Sequence, residues 1–173
     1  MYHVGSTKRS RDSAELIYYG IVICSQQQPL DSITIAEIQR TTGVARTTFY
    51  RSFDNISDVL EWKCDQYYQG FLAQLPVNHE KGPSLQQLTM MILEYVEQNP
   101  ELPVFLLGQG KIMMLLERYQ DLIPYFEDEH SRLSPYSILL SWSSPILLIL
   151  CKVELELTDS PQEILALLRR DLL

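Results

Sequence analysis

Apolar side chains recur along most of the chain at the three-to-four-residue spacing of amphipathic helices. The first apolar stripe starts at about Thr7, and further stripes occupy residues 57–75 and 85–98. No stretch alternates convincingly between apolar and polar residues, as a half-buried strand would. The pattern therefore predicts an all-α fold.

Residues 34–53, TIAEIQRTTGVARTTFYRSF, contain two short helical patterns on either side of a glycine. Thr34 precedes Glu37 by the spacing of a capping box, so we expect a helix to begin there. Gly43 is expected to end that helix, because glycine accepts the left-handed conformation at a helix C-terminus. A second helix follows from Ala45 to Phe53. Two helices joined by so short a turn form a helix-turn-helix.

The segments around this pair are assigned from their caps and their helix-breaking residues. Residues 1–6 are predicted to be disordered, and Ser57 is expected to cap a long fourth helix. Residues 102–119 contain two glycines and predict two short helices rather than one. Ser160 and Glu163 repeat the capping-box spacing before the final helix.

Charge is distributed unevenly along the chain. The net charge is −8, yet residues 1–53 carry six basic and four acidic side chains, a balance of +2. The remaining residues, 54–173, therefore carry −10. A basic N-terminal part on an acidic remainder is the asymmetry expected of a protein that meets DNA at one end.

Cysteine usage and the N-terminal residues favour a cytoplasmic protein. Cys24, Cys64 and Cys151 are odd in number, far apart and without C-x-x-C spacing, which disfavours a disulfide framework and a zinc site. The N-terminal residues are polar where a signal peptide needs an apolar core. The most apolar run, Ile138–Cys151, has 14 residues, whereas a bilayer span needs roughly 20. We expect no membrane partner and no cofactor.

Residues 33–60, ITIAEIQRTTGVARTTFYRSFDNISDVL, closely resemble the DNA-binding domain of TetR-family (tetracycline-repressor-like) transcriptional regulators. The family signature is a glycine, then a hydrophobic residue, a small residue, an arginine, a threonine and Phe-Tyr. It is met here by Gly43, Val44, Ala45, Arg46, Thr48, Phe49 and Tyr50. The resemblance covers roughly residues 7–70, and residues 71–173 resemble the family's regulatory domain in length and helical pattern.

The resemblance implies three parts of the chain and a function. They are a three-helix helix-turn-helix DNA-binding domain over residues 7–56, a connecting helix over 57–75 and a helical ligand-binding and dimerisation domain over 76–173. The implied protein is a repressor that binds a palindromic operator in double-stranded DNA as a homodimer. A small-molecule effector would release it.

The resemblance also implies which residues meet DNA. Arg46 would either pair with a guanine edge or hold a phosphate, and the phenol of Tyr50 would contact a phosphate. Thr34 would offer a helix N-terminus to a phosphate. The basic start of the first helix either contacts DNA or is an ordinary solvated helix end. The full set of candidates is Thr34, Arg46, Thr47, Thr48, Tyr50, Arg51 and Lys8.

This sequence departs from the family pattern at two positions. Ala45 replaces a common serine and cannot cap the second helix of the pair with a side-chain oxygen. Ile56 replaces a common lysine that touches phosphate. Both changes are expected to weaken the attachment to DNA. Ile38, Val44, Phe49 and Phe53 are expected to be the small core beneath these helices.

The second domain supplies candidates for effector binding and dimerisation. The pocket candidates are Tyr67, Phe71, Tyr95, Phe105, Met113 and Trp142, with Trp62, Met114 and Tyr119 as further aromatic or methionine side chains. Each of them is also an ordinary core candidate. The acidic composition fits a cationic effector or simply a solvated surface. The dimer candidates are Leu139, Ile146, Leu150, Leu165, Leu168 and Leu172, which would pair with a second copy as a four-helix bundle.

An enzyme and a protein-binding regulator are the alternatives to this function. Glu127 and His130 have the i, i+3 spacing of di-iron bundles, but such sites need a second pair and more glutamates. We therefore expect no enzyme and no metal. The stronger alternative is a TetR-like activator or co-activator whose second domain binds a partner protein.

Overall fold

The computed structural model describes residues 1–75, 85–119, 152 and 155–172. Every regular element in these ranges is a helix, which confirms the all-α prediction. The chain divides into two compact units, Met1–Gln66 and Tyr67–Leu173.

Helix α1 (Lys8–Ser25) is the longest helix of the first unit and carries much of its core. Thr7 caps it, since the Thr7 side-chain oxygen accepts a hydrogen bond from the Ser10 N–H at 3.2 Å. One face of the helix is buried, and a short 3-10 helix (Leu30–Ser32) follows. The buried side chains of α1 include Ala14, Ile17, Tyr18, Ile21 and Cys24.

Helix α2 (Ile35–Thr42) approaches α1 closely at Gly20. A Cβ atom on Gly20 would lie 2.5 Å from the Thr42 Cγ2 atom and 3.1 Å from the Ile38 Cγ2 atom. Real Cβ atoms hardly ever come this near to another side chain, so the glycine is what permits this distance between the two helices.

Both ends of α2 follow the sequence prediction. At its start the Glu37 carboxylate accepts from the Thr34 N–H at 2.7 Å, and the Thr34 Oγ1 atom accepts from the Glu37 N–H at 3.3 Å, which completes the capping box. At its end Gly43 is left-handed with φ 73°. Three residues separate α2 from helix α3 (Arg46–Ser52). Val44, predicted to be buried, is only half-buried, because it lies in this short turn.

Helix α4 (Ile56–Leu72) starts earlier than the sequence suggested. The Asn55 side-chain oxygen accepts a hydrogen bond from the Asp58 N–H at 3.0 Å, as an N-cap residue does. The prediction that Ser57 caps this helix was therefore wrong, since Ser57 lies in its first turn. The boundary between the two compact units falls within α4.

Residues 1–6 are ordered, so the prediction that they are disordered was wrong. The His3 N–H donates to the Ser52 carbonyl oxygen at 2.7 Å, and the Gly5 N–H donates to the Ser10 Oγ atom at 2.9 Å. Backbone N–H groups supply these hydrogen bonds, so the identity of the side chains in residues 1–6 did not indicate them.

The described part of the second unit contains four further helices: α5 (Leu85–Gln98), α6 (Glu101–Gly108), α7 (Met113–Leu116) and α8 (Pro161–Leu172). Residues 102–119 thus form two short helices, as predicted. Ser160 and Glu163 form the second capping box, in which the Glu163 carboxylate accepts from the Ser160 N–H at 2.7 Å. Helix α8 packs against α5. None of the described helices is long and apolar enough to cross a bilayer.

Candidate nucleic-acid interface

Helix α3 has one buried side and one exposed side. Phe49 is only 2% exposed, and Ser52 is buried beside it. Four of the predicted DNA-binding residues lie on the exposed side, and Thr48 is half-buried at its edge. The exposed four are Arg46, Thr47, Tyr50 and Arg51. The helix therefore presents two arginines, a hydroxyl and a phenol together to solvent.

An aromatic chain fixes the buried side of α3. The Phe49 and Phe53 rings are 5.9 Å apart between centroids, and Phe53 meets Trp62 of α4 edge to face at 6.0 Å. Aromatic pairs at such distances are favourable beyond the apolar area that they bury. Trp62, a further pocket candidate, is thus part of the core of the first unit.

Arg46 and Tyr50 contact each other on the exposed side of α3. The Arg46 guanidinium carbon lies 5.6 Å from the centroid of the Tyr50 ring, within the range of a cation–π interaction. The Arg46 Nη2 atom also donates to the Tyr50 hydroxyl oxygen at 3.5 Å. The Tyr50 ring further meets Phe49 edge to face at 5.6 Å, so Tyr50 connects the exposed Arg46 to the buried side of α3.

Thr34 is exposed at the start of α2, but its donors are already engaged. Its hydroxyl and its N–H both donate to the Glu37 Oε2 atom at 2.7 Å. These bonds hold the pKa of Glu37 below its ordinary value, with smaller contributions from Gln28 and Arg40. The N–H groups of the first turn, those of Ile35 and Ala36, keep no intrahelical acceptor because of helix geometry. They are the donors that this helix end offers to a phosphate.

The remaining basic residues of the first unit surround these elements. Lys8 is the first residue of α1 and is exposed. Arg40 is exposed on α2, where it lies 4.0 Å from the Glu37 carboxylate. Arg9 and Arg11 are exposed in the first turn of α1. The exposed positive charge therefore comes from all three of the first helices.

The two departures from the family pattern have different structural consequences. Ala45 stands at the N-cap of α3 and makes no side-chain hydrogen bond there, as expected. Ile56 is half-buried as the first residue of α4. A short helix without a capping side chain gains little stability of its own, so α3 depends on its packing.

The sequence did not indicate that Asp58 is a buried ionised residue in the first unit. The Asp58 carboxylate is buried, and it accepts from the Met1 α-ammonium at 2.9 Å and from the Asp54 N–H at 2.9 Å. Burial alone would raise the pKa of Asp58, but these hydrogen bonds outweigh it and hold the pKa below its ordinary value. The partners are up to 57 residues away along the chain, so no local motif shows the pairing.

Three of the six predicted pocket residues meet in the second unit. The Tyr67 and Tyr95 rings are 4.9 Å apart between centroids, and Phe71 meets Tyr95 at 5.6 Å. Tyr119, a further candidate, lies 5.4 Å from Phe71. The Tyr95 hydroxyl donates to the Tyr67 carbonyl oxygen at 2.9 Å. These residues form a buried aromatic cluster.

The other pocket candidates lie elsewhere or outside the described residues. Phe105 is half-buried on α6, and Met113 is 57% exposed on α7. Trp142 lies outside the described residues. Leu115 and Leu116 are the buried residues of the four-residue helix α7.

The hydroxyl of Tyr67 lies inside the aromatic cluster. It is buried, and no hydrogen-bond partner reaches it from the part of the chain that the structure describes. Burial is also the main reason why the pKa of Tyr67 is raised, with smaller effects of Tyr95 and Glu101. The phenol is therefore neutral, and the described residues leave its O–H donor unused.

The predicted dimer residues fall into two groups. Leu139, Ile146 and Leu150 lie outside the described residues. Leu165, Leu168 and Leu172 belong to α8. Glu127 and His130 are also outside the described residues, and within those residues no group of His, Cys, Asp and Glu side chains is arranged to hold a metal ion.

Comparison with known proteins relates the chain to a solved structure. No protein-family model and no curated protein matches the chain. The crystal structure of Lin0861 from Listeria innocua superimposes on it with a TM-score of 0.71 at 17% sequence identity. The match covers 97% of this chain and 93% of Lin0861. At this identity the likeness shows that the two chains share a fold.

Proposed function

We propose that the protein is a TetR-like, DNA-binding transcriptional repressor that binds a palindromic operator as a homodimer. The observation that carries the proposal is the difference between the buried and the exposed side of α3. Its buried side is anchored through Phe49, while Arg46, Thr47, Tyr50 and Arg51 are presented together on the exposed side. Arginine reads guanine edges and holds phosphates, and a phenol donates to phosphate oxygens.

The arrangement of α2 and α3 supports the same function. A capped helix, a left-handed glycine and a second short helix are the parts of a helix-turn-helix, whose second helix enters the major groove. The exposed basic residues of α1 and α2 would then face the phosphates on either side.

A selection from random double-stranded DNA, followed by gel shifts, tests the DNA-binding function. Enrichment of a palindrome is expected, since two copies of so small a reading helix are needed for useful specificity. Arg46→Ala should weaken binding of that palindrome by roughly ten- to a hundredfold, as loss of one bidentate base contact does. Tyr50→Ala should also weaken binding.

Two variants control for the loss of an arginine and of a tyrosine as such. Arg170→Ala removes an exposed arginine from α8, and Tyr19→Ala removes an exposed tyrosine from α1. Both should bind the palindrome like the unaltered protein. Failure to enrich any sequence would reject the DNA-binding function and favour the protein-binding co-activator instead.

Dimerisation and effector release are separate parts of the proposal. Sedimentation is expected to give twice the mass of the 20.1 kDa chain at micromolar concentration, and a monomer would reject the homodimer. An effector would bind the second unit, and the chain passes from that unit to the first within α4. An effector would release the protein from DNA only if it binds the DNA-free state better than the DNA-bound state. Calorimetry with cationic, neutral and anionic compounds, followed by gel shifts with any that bind, tests this part.

A further inference from the structure

Residues 1–5, called here the N-terminal strap, connect the end of α3 to α4. The His3 N–H donates to the carbonyl oxygen of Ser52, the last residue of α3, at 2.7 Å. The Tyr2 hydroxyl donates to the Asp65 Oδ2 atom on α4 at 2.5 Å. These two contacts come from neighbouring residues, so α3 is tied to α4 by a very short piece of chain.

Helix α3 is the element that most needs such a connection. It has seven residues and no side-chain cap at its start. Helices this short do not hold together by their own hydrogen bonds, and their last carbonyl groups have no partner within the helix. The His3 N–H supplies a partner for one of those carbonyls. The end of α3 is thus held from outside the helix.

We propose that the N-terminal strap is a positioning device for α3, with Tyr2 as an anchor on α4 beside the contact of Met1 with Asp58. The proposal rests on the proposed function, because it concerns the helix that would read DNA. The strap acts through α3 and makes no contact with DNA. When it is released, a smaller fraction of the protein has α3 in the binding-competent position, and the apparent Kd rises in inverse proportion to that fraction.

Tyr2→Phe removes the anchoring hydroxyl and keeps the ring. The Kd for the selected palindrome should rise about three- to tenfold, as expected when only a third to a tenth of the molecules remain competent. The slope of log K against log salt should stay unchanged, because no phosphate contact is lost. A changed slope would overturn the proposal in favour of direct contact between Tyr2 and DNA.

Two variants make the comparison specific. Tyr19→Phe removes an exposed hydroxyl from α1 and should leave the Kd unchanged. Asp65→Asn keeps a side-chain oxygen that accepts from the Tyr2 hydroxyl, so it should retain most of the affinity. Two results together would reject the anchoring role. Asp65→Asn would weaken binding as much as Tyr2→Phe does, and Tyr2→Phe would leave the hydrogen exchange of the His3 amide unchanged.

Amide hydrogen exchange reports on the strap without DNA. The His3 amide should be protected in the unaltered protein and should exchange faster in Tyr2→Phe, together with amides at the end of α3. An unprotected His3 amide in the unaltered protein would reject the strap itself. If the His3 amide is protected in the unaltered protein and exchanges faster in Tyr2→Phe, but the Kd does not change, the positioning role is rejected while the strap contact stands. Failure of the unaltered protein to select DNA would reject the proposed function, and the positioning role with it, while the exchange data still test the contact.

Discussion

Thr34 and Ala45 begin two neighbouring helices in opposite ways. Thr34 exchanges hydrogen bonds with Glu37, which satisfies the helix start but brings a carboxylate to it. Ala45 makes no side-chain bond and leaves the start of α3 without added negative charge. A phosphate would therefore meet less electrostatic repulsion at the start of α3 than at that of α2. The stability that Ala45 forgoes must come from the aromatic contacts of Phe49 and Phe53.

Replacement of Tyr67 by phenylalanine is expected to stabilise the second unit. A buried donor without a partner costs about 1–3 kcal/mol, and Tyr67→Phe removes a hydroxyl that has no partner among the described residues while it keeps the ring. The free energy of unfolding in urea should rise by about 1 kcal/mol. Tyr95→Phe is the matched control: it removes a hydroxyl that donates to the Tyr67 carbonyl, and should lower stability by about 1 kcal/mol. Equal effects of the two changes would contradict this account.

At the scale of the elements, the two capping boxes and the glycine end of α2 were predictable because each is local. Thr34 with Glu37 and Ser160 with Glu163 need only residues three apart. The wrong predictions depended on distant partners or on a competing neighbour. The strap residues are ordered by Ser52 and Asp65, which no local pattern connects to them. Asn55 and Ser57 are both residue types that can cap a helix, so the sequence did not show that Asn55 is the one that caps α4.

The candidate site was predictable to a different extent from the fold. The exposed set on α3 lay in one contiguous motif, so its members could be named from spacing and resemblance. The aromatic cluster of the second unit joins residues from 67 to 119, and only the structure shows which rings meet. Composition named Tyr67, Phe71 and Tyr95 together with Met113, although Met113 is exposed.

The crossing of α1 and α2 makes a prediction about Gly20. Alanine would gain about 1 kcal/mol of helix propensity, but its Cβ would meet Thr42 and Ile38 at close range. Overpacking of this kind costs about 1–3 kcal/mol, so Gly20→Ala should lower the free energy of unfolding. Gly108→Ala is the control, since a Cβ there meets nothing within 4 Å. It should leave stability unchanged or raise it. A Gly20→Ala protein as stable as Gly108→Ala would mean that the helices are not in close contact.

Acid is expected to weaken the first unit through Asp58. Its pKa is lower in the folded protein than its ordinary value, so its contribution is present above about pH 4 and is lost as the pH falls through the folded pKa. Between pH 6 and pH 3, the free energy of unfolding in urea should fall less for Asp58→Asn than for the unaltered protein. Asp12→Asn, at an exposed position, should behave like the unaltered protein. If the unaltered protein, Asp58→Asn and Asp12→Asn all lose the same free energy of unfolding, Asp58 is not the group responsible for the acid sensitivity.

For the whole molecule, the uneven charge distribution means that the proposed association with DNA would have to be local. The net charge of −8 repels the phosphate backbone as a whole, while the first 53 residues carry +2. Long-range attraction to DNA would therefore be weak, and the affinity would depend on a few arginines and lysines at short range. Binding should be more sensitive to the loss of one such contact than in a strongly basic protein.

The salt dependence of binding tests this directly. Arg51→Ala is expected to reduce the slope of log K against log salt by about one for each protomer bound, because one phosphate contact is lost. Lys8→Ala should do the same if the start of α1 lies along the backbone. Arg170→Ala, on α8, should leave the slope unchanged. Unchanged slopes for both Arg51→Ala and Lys8→Ala would assign these residues to the solvated surface.

The thiol of Cys24 provides a chemical reporter of the α1–α2 crossing. Its sulfur lies 3.5 Å from the Thr41 hydroxyl oxygen, and its side chain is shielded from solvent by both helices. A thiol reagent can reach it only when the helices separate, so its modification rate in native protein measures how often that opening occurs. In a variant with the other two cysteines replaced, the modification rate of Cys24 can be measured with and without operator DNA. A lower rate with DNA would show that DNA binding reduces the separation of α1 and α2.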